Sequence, residues 1–478
     1  MQILHLIERL TLGGPLFATA GLAKHSRAAP RGHHRLVSLL PPDARAMEVA
    51  KRAGIDVLSA PPITVLDALV AGADIVQIHF WNSPALHAFL NRGLRPCRLL
   101  VWCHVNGAHP PHVIPTALVR QAARVAATTT VTLDLPQFQS LLREEPGRLV
   151  AVPGGADFSR LVGFEPRPHD GFRVGFVGRV DASKVHPDFA AMCARVRVPS
   201  LRIVVRGDGE HTAQLLRQVS ELGIRDRFSF EGYAEDICHA LADLDVLGYP
   251  LHQETSCTSE LVVQEAMYAG IPPVLMAHGG PQRLVTSGRN GIVVASADEY
   301  VAAIESLAQR PDWRRQLGRQ ASVDARTILG AAPSAGRMDV VYEQLLALPK
   351  TEMTPLASAP LSGSDLCGTA GAQALIASLD GIGDDDLRRS LSNDDDDDAS
   401  EAELRLAACG PAMQDAILQY RLFYPCDHHL RLWSGLAMAS RKRWALAAGE
   451  LLAARKMGCS MRADGHLSRV RQNESAHD

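Results

Sequence analysis

At 478 residues the chain exceeds what one hydrophobic core usually serves, so two or three domains are expected. A formal charge of −3 supplies no global pull toward nucleic acid or an anionic membrane. The nine cysteines never fall in Cys-x-x-Cys pairs, which argues for reduced thiols in a cytosol-like compartment and against a disulfide framework or a zinc site.

The opening MQILHLIERL has neither a basic leader nor a cleavage signature, and no apolar run approaches the ~18 residues of a spanning helix. A cytoplasmic protein is predicted, at most peripheral at the inner face of the membrane. Six short apolar runs follow, QILHLI, RLVSLL, IDVLS, DIVQIHF, RLLVWCH and RLVAVP, interleaved with helical segments. The pattern is α/β: a parallel sheet covered on both faces, with ligands gathering at the carboxyl ends of its strands. At the first such end Gly13 and Gly14 precede Pro15, where backbone can approach an anion at a helix start; a plain βα turn fits the same residues. His79 and Trp81 end another strand in IHFWNSP and suit either sugar contact or a packed rim. RLLVWCH ends in His104, with His109 and His112 close behind; the prolines there and the absence of i, i+4 spacing favour a cleft-lining loop over a metal site.

From Phe172 a second set of runs, FRVGFVGRV, LRIVVRGDG, FSFEGY, DVLGYP, IPPVLM and GIVVAS, predicts a second Rossmann-like half, with the cleft between the halves as the site. Arg179 and Lys184 stand five apart after a strand, where two cations can neutralise a diphosphate without a metal or simply be solvated. Gly207, Asp208 and Gly209 end the next strand and let backbone approach a flat ring, unless Asp208 only forms a turn. A helix is predicted from Ser259 to Ala269, stopped by Gly270 and capped by Thr258 or Ser259. Its N-terminus would offer amide N–H groups to a diphosphate or a sugar, with Glu265 about two turns further in.

In their order and spacing, GRVDASK, VVRGDGEHTAQLLRQVSELGIRDRFSFEGY, LDVLGYP, SELVVQEAMYAGIPPV, HGGPQRLV and RNGIVV resemble the retaining glycosyltransferases of family 4. LHLIERLTLGGP, DIVQIHFWNSP and VPGGADFSRL extend the likeness over residues 1–348. The resemblance implies a GT-B fold: an acceptor domain (1–165), a donor domain (166–332) and a helix returning to the first domain (333–349). It also implies a UDP- or GDP-sugar donor, a saccharide or lipid-linked acceptor, no metal or other cofactor, and retention of configuration. Carried over by position, Arg179 and Lys184 would hold the diphosphate, Glu265 the ribose, Gly13 and Gly14 the phosphate and acceptor, and His104 the donor sugar. Gly178, Gly209, Leu261 and Val262 complete the expected donor site. The motif E-x7-E is broken: Cys257 stands eight residues before Glu265, where its first glutamate belongs. Glu254, in the loop before the helix, is expected to supply that carboxylate, and Glu260 to lie in the helix's first turn. Cys257 also favours the alternative, a degenerate GT-B scaffold that binds nucleotide or glycan.

Residues 350–400, rich in Ser, Gly, Ala, Pro and Asp with five aspartates at 394–398, are expected to form a flexible acidic linker. Residues 401–470 are helical in pattern and end in a hairpin resembling one tetratricopeptide repeat through Gly435, Trp444, Ala447, Leu451 and Ala454. A lone hairpin cannot bury both faces, so it should pack on a partner, the enzyme body or a second copy. Arg441, Lys442 and Arg443 suit acidic lipid headgroups or a wet surface.

Overall fold

The computed structural model describes residues 1–26, 33–356, 370–379, 410–458 and 460–475. The apolar runs of the first half become parallel strands because their side chains are apolar on both faces of the pleat, and such a strand is stable only with cover on each side. They are β1 (Gln2–Ile7), β2 (His33–Ser38), β3 (Asp56–Ser59), β4 (Ile75–Phe80), β5 (Leu94–Cys97), β6 (Leu99–Cys103), β7 (Arg124–Ala127) and β8 (Leu149–Ala151). Seven of them form a sheet in the order β3-β2-β1-β4-β6-β7-β8. Every residue of its central strands β4 and β6 is buried.

The second half repeats the scheme with β9 (Phe172–Val177), β10 (Leu201–Arg206), β11 (Phe228–Gly232), β12 (Val246–Tyr249), β13 (Pro273–Met276) and β14 (Ile292–Val294), ordered β11-β10-β9-β12-β13-β14. In both sheets the order reverses beside the first strand, which opens a crevice at its carboxyl end. The helix Ala331–Leu346 then crosses back to the first domain. There the Tyr342 hydroxyl donates to Gln77 Oε1 of β4 at 2.6 Å, and Asp339 accepts from Ser26. At the start of this helix the backbones are in contact: a Cβ on Gly155 would lie 2.1 Å from Gly330 O.

Two parts of the predicted linker are structured. β15 (Thr351–Met353) pairs antiparallel with β5, and Ala370–Ser378 is a helix that buries Leu375 and Ile376. Composition misses this because the segment holds too few apolar residues to fold alone; the helix finds its partners on Pro84–Leu90 and Pro411–Phe423. The aspartate run lies outside the described residues.

The expected hairpin is present as His428–Ser440 and Trp444–Lys456, with Gly435 closing on Leu451. It is flanked by Pro411–Phe423 and Ser460–Ser475, and the helices share a core that includes Ile417, Tyr420, Trp433, Leu451 and Leu467. Arg431, at an expected apolar position, shares Glu450 with Arg421, while Arg441 is drawn inward to Asp415 at 2.6 Å. The helices sit on the first domain. Asn82, just beyond β4, donates to Ser378 O at 2.9 Å and accepts from the Tyr420 hydroxyl at 3.3 Å. No helix among the described residues is long and apolar enough to cross a membrane. Replacing the fully buried Ile417 with Ala should cost the helical unit about 2–5 kcal/mol. Denaturant unfolding followed by helix signal reads it, and an unchanged midpoint would contradict this packing.

Candidate functional site

The loops after β6 and β12 bring the two domains together. Asn106, two residues past His104, donates from Nδ2 to Thr255 O at 2.7 Å and from its backbone to Ser256 O at 3.1 Å. Beside it, Gly154 O accepts from Ser259 Oγ at 3.1 Å and from Gln264 Nε2 at 2.8 Å. Gln264 Oε1 in turn accepts from Ala156 N and Gly330 N, both at 3.2 Å. The helix Leu261–Tyr268 is therefore fastened to the first domain at the end nearest the crevice.

That helix starts later than expected, after Glu260 as N-cap with φ −27°, and not after Thr258 or Ser259. The consequence is chemical. Glu260 Oε2 accepts from Lys184 Nζ at 2.8 Å and from the Tyr249 hydroxyl at 2.7 Å, and the Cys257 thiol lies close to the same carboxylate. Burial acts to raise the Glu260 carboxyl, but the Lys184 charge and these hydrogen bonds outweigh it and hold it below its usual range. Burial likewise opposes the Lys184 charge, and Glu260 reverses the balance, keeping the ammonium protonated. Cys257 is pushed up to about 12 by burial and by Glu260, so it stays a thiol. Glu254 is exposed, and its carboxylate lies against Gly410 at the foot of the helical unit. The carboxylate beside Lys184 is thus Glu260, whose role depends on the N-cap turning it back toward β12.

Arg179 lies in the same loop as Lys184 with its side chain 79% exposed, paired with Asp181 at 2.8 Å. Gly178, at φ +145°, keeps space open beside them: a Cβ there would stand 3.2 Å from the Tyr249 hydroxyl and 3.7 Å from Lys184 Nζ. Gly209 approaches protein and not open space, since its Cβ would lie 2.3 Å from Val180 O. Asp208 accepts from Tyr233 N at 3.1 Å, as a turn former does. Gly14 opens the helix Gly14–His25 and faces open space, since a Cβ there would meet nothing within 4 Å, while Gly13 is the extended N-cap. Leu261 and Val262 are the first helical residues after Glu260, where N–H groups lack intrahelical partners. Glu265, one turn on, is buried with Arg160 at 3.5 Å. Burial pushes its carboxyl up to about 7, against the pull of Arg160 and helped by Asp157.

His104 ends a file of imidazoles that sequence reading did not anticipate. His34 Nδ1 and His5 Nε2 are 2.9 Å apart, His5 Nδ1 and His79 Nε2 3.1 Å, and His79 Nδ1 and His104 Nε2 2.9 Å. The register explains the alignment: His34 pairs with Ile3, His5 with Gln77 and His79 with Trp102. Each next histidine stands two residues further on the neighbouring strand, on the same face by the period of the pleat. The file climbs diagonally across the sheet and emerges at the crevice, where Trp81 stacks on His104 with ring centroids 5.3 Å apart. Among the described residues no group of His, Cys, Asp or Glu has the geometry to hold a metal ion, His104, His109 and His112 included.

A family model described as "Glycosyl transferases group 1" matches residues 171–310. The chain is 32% identical over 316 residues to a GDP-mannose-dependent alpha-mannosyltransferase of Mycobacterium tuberculosis, covering 60% of this chain and 76% of that protein. It is 29% identical over 204 residues to the lipopolysaccharide core biosynthesis glycosyltransferase LpsE of Rhizobium meliloti, covering 42% and 55%. Among solved structures, Anabaena Alr3699/HepE in complex with UDP superposes with a TM-score of 0.58 at 18% identity, over 72% of this chain and 100% of the other. Sucrose-phosphate synthase from Thermosynechococcus elongatus gives 0.54 at 20% identity, over 73% and 100%. Those two likenesses concern the fold, two parallel-sheet domains of the GT-B kind facing a crevice. By its relatives and its fold together, the chain belongs to the group 1 glycosyltransferases.

Proposed function

We propose that the protein transfers a sugar from a UDP- or GDP-sugar to a saccharide or lipid-linked saccharide, with retention of configuration. The observation that carries this reading is the Lys184–Glu260–Tyr249 cluster beside the exposed Arg179. An ammonium has three N–H donors and Glu260 uses one, so Lys184 keeps donors for a phosphate oxygen while remaining oriented. Arg179, exposed and paired with Asp181, would turn onto the second phosphate, and the N–H groups of Leu261 and Val262 add positive potential. Two cations then neutralise the leaving diphosphate, so the reading calls for no metal. Glu265 would take the ribose hydroxyls, and His104 with Gly13 and Gly14 would line the sugar side. The acceptor oxygen attacks the anomeric carbon on the face from which the diphosphate leaves, and the departing phosphate oxygen takes the acceptor's proton.

Removing Lys184 alone would leave the largely shielded Glu260 carboxylate unmatched, which would confuse folding with chemistry. The double variant Lys184→Ala, Glu260→Gln avoids this. It should melt close to the wild type yet lose transfer by a factor of about 100 or more. Glu254→Gln should retain transfer, and full activity in the double variant would refute the donor-site assignment. The scaffold alternative, favoured by Cys257, instead expects nucleotide-sugar binding without turnover in the wild type.

A second expectation follows from Glu265. If ribose hydroxyls donate to it, binding favours the carboxylate, whose folded pKa lies near 7. Affinity for UDP or GDP should be full above that pH and fall as pH drops through it, by up to about tenfold per unit. Glu265→Gln should bind more weakly with a flatter dependence between pH 6 and 8. Calorimetry showing the same slope in both proteins would exclude the ribose role.

A further inference from the structure

The four imidazoles can be polarised in only two ways, and the structure distinguishes them. Burial holds His5 and His79 well below the ordinary histidine range, His34 at about 4 and His104 at about 3, so all four rings are neutral near pH 7. A neutral imidazole carries one N–H and one lone pair, so fixing one ring fixes every other. Thr19 supplies the choice. Its hydroxyl donates to Pro15 O at 2.8 Å and therefore turns a lone pair toward His79 Nε2 at 3.3 Å. His79 Nε2 then carries the hydrogen, shared between Thr19 Oγ1 and His5 Nδ1, and His79 Nδ1 accepts from His104 Nε2. Following the file outward, His5 Nε2 donates to His34 Nδ1, which leaves the hydrogen of His34 on Nε2. That nitrogen is buried without a hydrogen-bond partner, in the field of the Asp339 carboxylate, where an N–H sits better than a lone pair. The two ends agree on one polarity.

We propose that His34, His5 and His79 are positioning residues that hold His104 as the neutral Nε2–H tautomer, so that its Nδ1 accepts a hydrogen bond from a sugar hydroxyl in the crevice. The file uses only Nε2 of His104, and the ring keeps 9% exposure beside Trp81. The ligand group must be a donor: a hydroxyl fits, whereas a fluorine or a bare carbon does not. This rests on the reading of the crevice as a nucleotide-sugar site, so the test has one arm that needs no sugar.

In the first arm the ligand-free, full-length protein is labelled with ¹⁵N-histidine and its tautomers are read at pH 7 by multiple-bond correlation spectroscopy. Neutral Nε2–H rings at all four positions are expected, and an Nδ1–H on His104 overturns the proposal. In the second arm, binding of UDP- and GDP-sugars is compared with their monodeoxy and deoxyfluoro analogues. At one hydroxyl position both replacements should weaken binding about tenfold. Deoxyfluoro analogues that match the parent at every position overturn the acceptor role. His79→Gln can turn either its oxygen or its amide nitrogen to His104, so it should lose the tautomer preference and most of that discrimination. Thr19→Val, close in shape, should shift both readouts the same way if His79→Gln does not fold. Variants that keep both the Nε2–H on His104 and the full discrimination show a merely structural file and sink the idea. If no nucleotide sugar binds at all, the reading of the crevice fails and takes the ligand half with it, while the tautomers are still decided by the first arm.

Discussion

A carboxylate largely shielded from water is costly unless it is matched, and Glu260 is matched by hydrogen bonds from Lys184 and Tyr249, with the Cys257 thiol close by. Much of the crevice is arranged around that requirement. Gly178 lacks a side chain where one would crowd the Tyr249 hydroxyl and touch Lys184. Cys257, which interrupts the expected pair of glutamates, stays a protonated thiol close to the carboxylate that stands in the site. The same loop presents Thr255 O and Ser256 O to Asn106, so one neutralised charge and one set of backbone acceptors link the cation loop of the second domain to the His104 loop of the first.

The placement of these groups follows from parallel topology. In a parallel sheet all carboxyl ends point the same way, and two such sheets set face to face direct theirs at one crevice. Lys184 follows β9, Glu260 follows β12, and His104 follows β6, so residues far apart in sequence meet because each sits just beyond a strand. Gln264 completes the arrangement by hydrogen-bonding Gly154, Ala156 and Gly330, which ties the site helix to both sides of the domain joint.

Much of the architecture was legible because strands buried on both faces read as continuous apolar runs. Both sheets could be anticipated that way, whereas the returning helix was expected from the family resemblance and the terminal hairpin from its helical pattern. Arg179, Lys184, Glu265 and His104 were visible as polar residues at strand ends or on the helix beyond one. Glu260 was not, because its role comes from a cap dihedral of −27° that sends the side chain backward, and spacing carries no such information. The histidine file was equally hidden: positions 5, 34, 79 and 104 show no common interval, and the constant step of two emerges only once the register is known. The helix Ala370–Ser378 escaped because its stability comes from a surface contributed by other parts of the chain.

The seat of the helical unit has a kinematic consequence. It is bonded to the first domain at Asn82 through Ser378 and Tyr420, and at Gly410 it abuts Glu254 of the second. A body resting on both jaws of a hinge cannot follow both when they part. Any rotation that widens the crevice changes the span between Asn82 and Glu254, so the unit must stay with the first domain and release the second domain's loop. Were the crevice to widen, the contact given up on that side would be the one at Glu254, an exposed carboxylate against a glycine, where little binding energy has to be surrendered.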